Sequence, residues 1–170
     1  TRINSNIRKV AKLGKLNANQ VIENRVNQAD KYLFAIKDLS LSLGLGRKNL
    51  TIEGFDVSHH GGKHAVASAV RFSSYGPEKK NYRLFNIPKE LSGNDIGSIR
   101  HVLKRRINKA NINPLPDIIL IDGGKLQLNA VLSTFSALIK NPPIILSIVK
   151  GSKRVRATET ILSKDGIIEM

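Results

Sequence analysis

The sequence predicts an α/β domain: a mixed sheet in the order β-β-β-α-β-α-β with flanking helices, set behind one N-terminal helix. Three observations carry this. Apolar residues recur at spacings of three and four from Ala18 to Leu43, the period of an amphipathic helix. Three strand-like stretches with short connections follow between residues 51 and 87, which implies an antiparallel meander. Beyond them, helical and strand patterns alternate, as in sheets covered by helices.

Residues 1–17 are basic and polar and read as a linker or the frayed start of a helix. The helix from Ala18 ends at Gly44 or Gly46, where glycine can take a left-handed cap. Residues 1–46 therefore form a linker and helix, and residues 47–170 the domain proper. The first strand is Thr51–Val57 and the second Ala65–Phe72, joined by a turn at His59-His60-Gly61-Gly62. The third runs from Asn81 to Ile87. Ser92-Gly93-Asn94-Asp95 has the form of a helix start, with Ile96, Ile99, Leu103 and Ile107 as the buried stripe behind it. Ile118–Ile121 is a continuous apolar run, which suggests a strand buried on both faces. Gly123-Gly124 leads into a helix that Pro142-Pro143 stops, and Ile144–Val149 is the next strand. Thr160–Leu162 and Ile167–Ile168 flank a Lys-Asp-Gly turn and are expected to pair as a hairpin. This order is that of a ribonuclease-H-like domain.

A length of 170 residues with 41% apolar content suits one globular domain with a helical extension. No run approaches the roughly 20 apolar residues of a membrane helix, and the start lacks the apolar core of a secretion signal. The chain has no cysteine, which excludes disulfides and thiolate zinc sites and fits a cytoplasmic protein. Net charge is +15, with 28 Lys+Arg against 13 Asp+Glu, so a polyanion such as nucleic acid is the expected partner and a membrane is not.

Two of the strands end in aspartate: Ile52-Glu53-Gly54-Phe55-Asp56 and Ile118-Ile119-Leu120-Ile121-Asp122. A carboxylate at the end of a buried strand is costly unless its charge is balanced. A shared divalent ion would balance both, and such a site supports phosphodiester hydrolysis. Magnesium or manganese suits these hard oxygen donors. Each aspartate could instead cap the turn that follows it. Asp95 is a third candidate, although the helix dipole favours an acid there whatever the function. His59, His60 and His64 cluster without a cysteine partner, so a satisfied turn is preferred to a zinc site. Gly123-Gly124-Lys125 lacks the full phosphate-loop signature, yet Lys125 could reach a phosphate. No Gly-x-Ser-x-Gly elbow is present. From Lys79 to Lys109 there are nine Lys+Arg against two acids. Arg100, Lys104 and Arg105 lie on one helix in that stretch, and a second basic knot holds Lys150, Lys153, Arg154 and Arg156. Both fit contact with backbone phosphates, which gives affinity without sequence readout. They fit a solvated surface as well.

Several motifs in order resemble the UvrC family of the bacterial excinuclease. They are Ile52–His59, Tyr82-Arg83-Leu84-Phe85-Asn86-Ile87, Asn94-Asp95, and the stretch from Pro116 through Asp122-Gly123-Gly124-Lys125-Leu126-Gln127-Leu128 to Asn129. The resemblance implies a metal-dependent endodeoxyribonuclease of nucleotide excision repair. It would cut damaged double-stranded DNA 5′ to the lesion, alongside the partner proteins UvrA and UvrB. It also implies that Asp56 and Asp122 are the catalytic acids and that Asp95 is a further functional one. Gly54, His60 and Leu126 depart from the family pattern. The family's third catalytic residue, a histidine, and its helix-hairpin-helix repeats would fall beyond Met170. The chain thus reads as a fragment that incises poorly by itself. The alternative is a basic nucleic-acid-binding module of the same fold without catalysis.

Overall fold

The computed structural model describes residues 2–60, 64–150 and 159–168. The first helix, α1, spans Arg2–Ser42, so residues 2–17 belong to it and are no linker. At 41 residues it is about 60 Å long. Its C-terminal end packs on the sheet through Ile36, Leu39 and Leu43, which join Leu50, Ile52, Ile118, Ile144 and Leu146 in one apolar cluster. Gly44 ends the helix at φ +66°. The Gly44 N–H donates to Leu41 O and the Leu45 N–H to Ser40 O, the paired bonds of a Schellman cap, as the glycine predicted.

Among the described residues the strands form one eight-stranded sheet. They are β1 (Ile52–His60), β2 (His64–Ser73), β3 (Gly76–Pro77), β4 (Arg83–Asn86), β5 (Ile118–Asp122), β6 (Ile144–Lys150), β7 (Glu159–Ser163) and β8 (Gly166–Ile168). The spatial order is β3-β2-β1-β5-β6-β7-β8, and β4 pairs with β2 beside β3. β1, β5 and β6 run parallel, while the flanking pairs are antiparallel. The sheet is therefore mixed, and its first and fourth predicted strands are neighbours.

Three expectations need correcting. β1 does not turn at His59: it continues to His60, because β2 begins at His64 and pairs back to it. The third predicted strand is shorter, since a 3-10 turn at Lys79–Asn81 takes its start and leaves β4 as Arg83–Asn86. The second helix, α2 (Asp95–Ile107), is capped by Asn94 and not Ser92, with the Asn94 side chain accepting from the Gly97 N–H at 2.8 Å. The third helix, α3, spans Lys125–Leu138.

The sheet buries two cores. On one face Ile99, Val102 and Leu103 of α2 and Leu128, Val131 and Phe135 of α3 meet Phe55, Ile119, Ile121 and Ile145. The end of α1 covers part of the other face. β5 is buried on both sides, with Ile118 and Ile119 fully enclosed, as its unbroken apolar run predicted.

Candidate active site

β1 and β5 run side by side, with Ile52 opposite Ile118 and Phe55 opposite Ile121. The next residue on each strand is the aspartate singled out by the sequence; Asp122 ends β5 as expected, but Asp56 does not end β1, which pairs with β2 as far as His60. Asp56 and Asp122 thus take the same register step on neighbouring strands, which in a sheet lie about 4.8 Å apart. Phe55 and Ile121 point into the helix-covered core, so alternation puts Asp56 on the opposite face, while Asp122, the last residue of β5, also borders a small cavity at the start of α2. Both aspartates are exposed. Asp56 Oδ2 accepts from Ser58 Oγ at 2.8 Å, and Ser68 of β2 is its neighbour across the ladder.

The turn after Asp122 is held from two sides. The Gly123 N–H donates to Ile148 O, and the Ser147 hydroxyl donates to Gly123 O, so β6 grips both backbone groups of that glycine. The Gly124 N–H donates to Gln127 Oε1 at 2.9 Å. A Cβ on Gly123 would lie 3.1 Å from the Gln127 side chain, so only glycine lets that side chain pack so closely. Sequence reasoning missed Ser147 and Gln127. Ser147 was legible as the lone hydroxyl inside Ile144–Val149, and Gln127 as an amide at the third position of a helix.

Asp95, the first residue of α2, is exposed and shares a cavity of about 40 Å³ with Phe55, Val57, Ile99, Ile121, Asp122 and Gln127. The structure therefore brings Asp95 to Asp122. Among the described residues no three His, Cys, Asp or Glu form a cluster able to hold a metal ion. The side chains of His59, His60 and His64 lie outside the described residues. Lys125 opens α3, three residues after Asp122, and is exposed.

Arg100, Lys104 and Arg105 are exposed on α2. Arg105 lies 5.5 Å over the Phe85 ring, toward β4, and Arg100 leans to Ser133 of α3 at 3.4 Å. α2 covers the sheet face opposite to Asp56, so these cations lie behind that acid. Of the second basic knot, Lys153, Arg154 and Arg156 and the side chain of Lys150 lie outside the described residues.

One basic residue of that helix is not on the surface. Arg106 is 5% exposed and grips Glu53, itself 4% exposed, through Nε and Nη2 at 2.7 Å each. Arg71 adds a third bond to Glu53 at 2.9 Å. Both arginines also donate to Pro114 O, which ties the α2–β5 connection to the sheet.

The model of the UvrC RNase H endonuclease domain matches residues 40–168. The chain belongs to that family. UvrC relatives agree over most of its length. UvrABC system protein C of Yersinia enterocolitica is 37% identical over 88% of this chain and 25% of its own length. The Pasteurella multocida protein of the same name is 38% identical over 94% of this chain and 27% of its own. The chain thus spans about a quarter of the length of the curated UvrC relatives it matches. Among solved structures, Ciona intestinalis endonuclease V in complex with an inosine-containing 24mer DNA has a TM-score of 0.43 at 15% identity, over 64% of this chain and 49% of that one. That likeness is too distant to bear on the fold. UvrC family membership and the element order together make the fold ribonuclease-H-like, as predicted.

Proposed function

We propose that this chain is a metal-dependent endonuclease domain that cuts damaged double-stranded DNA 5′ to a lesion in nucleotide excision repair, in the cytoplasm, with UvrA and UvrB as partners. The observation that carries the reading is the shared register step of Asp56 and Asp122 in a chain of this family. Two carboxylates at the same step of adjacent strands offer the hard oxygen donors that magnesium or manganese takes. Such an ion, when bound, polarises a phosphate and favours attack by water. The chain's own groups would do the rest. Asp56 and Asp122 hold the ion, and Ser58 orients Asp56 through its hydrogen bond. Asp95 adds negative charge beside Asp122. Lys125 binds a backbone phosphate at the first turn of α3, where the helix dipole also favours an anion. Arg100, Lys104 and Arg105, with Lys150, Lys153 and Arg154, hold the duplex further out.

Residues 1–46 act in this reading as an extension and residues 47–170 as the nuclease unit. With two carboxylates as ion ligands, these 170 residues alone are expected to incise poorly. The test is a nicking assay on damaged duplex with manganese and both partner proteins, made in a longer protein that contains this domain. Asp56→Asn is expected to abolish incision there and to leave the circular dichroism spectrum unchanged, because Asp56 is exposed and its bond to Ser58 is local. Incision by that variant at the parent rate would sink the reading.

A further inference from the structure

We infer that Ser147 and Gln127 are positioning residues that set the direction of the Asp122 carboxylate toward Asp56. The inference rests on the metal-site reading above and extends it to two residues that act through the turn after Asp122.

Ser147 is the one hydroxyl in the stretch Ile144-Ile145-Leu146-Ser147-Ile148 of β6, and it is fully buried. A buried hydroxyl is unfavourable without a partner, and an apolar residue of similar size would serve packing as well. Its partner is the Gly123 carbonyl, in the peptide that follows the one joining Asp122 to Gly123. The N–H of Gly123 is held by Ile148 O, so both polar groups of the residue after Asp122 are fixed by β6. Gln127 completes the arrangement from α3. Its amide oxygen takes the Gly124 N–H, and its methylenes lie against the open side of Gly123.

Asp122 is exposed and stands at the last position of β5. At the end of a strand the backbone is ordinarily free to twist, and a small twist at the Cα moves a carboxylate oxygen by an ångström or more. Holding the next two residues removes that freedom. Groups that orient an ion's ligands typically change its affinity 10–100-fold when removed.

The probe is Mn²⁺ itself, titrated against the protein and followed by the loss of the free-ion electron paramagnetic resonance signal. Asp122→Asn reports which part of the binding belongs to this site. Ser147→Ala and Gln127→Met each remove one bond while keeping size, and each is expected to weaken Mn²⁺ binding about 10-fold. In a longer, active protein the same variants are expected to lower kcat at low Mn²⁺ and to recover it as Mn²⁺ is raised, with KM for DNA unchanged, whereas a smaller folded fraction would lower kcat at every Mn²⁺ concentration. If Asp122→Asn weakens Mn²⁺ binding but Gln127→Met and Ser147→Ala do not, the positioning role is wrong and the metal site stands. If Asp122→Asn binds Mn²⁺ as the parent does, both are wrong. Should Ser147→Ala fail to fold, Gln127→Met, at a half-buried site, decides the question alone.

Discussion

Glu53 sits in an alternating stretch, Ile52-Glu53-Gly54-Phe55, and by pattern alone a glutamate there reads as a surface residue. Its partners Arg71 and Arg106 are 18 and 53 residues away, so no local signal could announce the cluster. A buried carboxylate facing two guanidinium groups is costly to break, because removing the acid leaves Arg106 without a counter-charge and Arg71 with only Glu78, at 3.3 Å. Glu53→Gln is expected to lower stability by about 3–5 kcal/mol, read as a shift of the urea midpoint, a large fraction of what a domain of this size has. Asp117 differs in kind. Burial pushes its carboxyl up, but the Thr51 N–H, the Thr51 hydroxyl and the Arg47 guanidinium together outweigh that and hold it below the ordinary 3.8. A lowered folded-state value means that the acid's contribution is whole above about pH 4 and is lost as pH falls through the folded value. Asp117→Asn is therefore expected to cost about 1 kcal/mol near neutrality and to flatten the fall of Tm below about pH 4. Thermal melts between pH 3 and pH 7 test both parts.

Most elements were legible because each carries its own periodicity. The run Ile118–Ile121 became the strand buried on both faces, and the Lys-Asp-Gly turn became the β7–β8 hairpin. What the sequence hid was settled by partners. His59 and His60 look like turn residues, yet they pair with Ala65 and His64 and lengthen β1. Asp122 was legible as a strand-end acid, whereas Asp56 stands mid-strand because pairing with β2 carries β1 on to His60, and the register step the two share needed the parallel pairing of β1 and β5. The reach of α1 shows the same dependence. Its line is fixed where Tyr32 lies against Gly76 and the Phe72 ring, whose centroid is 6.4 Å away. Gly76 has φ +102°, and a Cβ there would come within 2.9 Å of Tyr32 Cδ2. Gly76→Ala combines a strained backbone with a clash, and about 1–2 kcal/mol of destabilisation is expected. Tyr32 fluorescence should change in that variant, whereas Gly14→Ala, which meets nothing within 4 Å, should leave it alone.

At the scale of the whole molecule, a net charge of +15 is spread unevenly in its uses. Arg71 and Arg106 are spent inside, on Glu53, and Arg47 is engaged by Asp117. Arg100, Lys104, Arg105 and Lys125 remain exposed. Asp56 lies on the sheet face turned away from α2 and α3, while Asp122 borders the cavity where Asp95 stands, so a duplex that reaches both acids would lie at the end of the sheet where Lys125 is exposed and would meet Lys104 and Arg105 only by continuing along α2. This geometry makes the DNA contact of α2 a separate question from catalysis. Each phosphate contact adds about 0.9 to the slope of log K against log salt. If the duplex crosses to α2, neutralising Lys104 and Arg105 together should flatten that slope by about 2 units and weaken binding alike on all sequences. The measurement is a titration of one duplex at several salt concentrations, repeated with a second, unrelated sequence. An unchanged slope would mean that the duplex stops at Lys125 and that the cations of α2 serve solubility, with Arg105 resting on Phe85 as the structure has it.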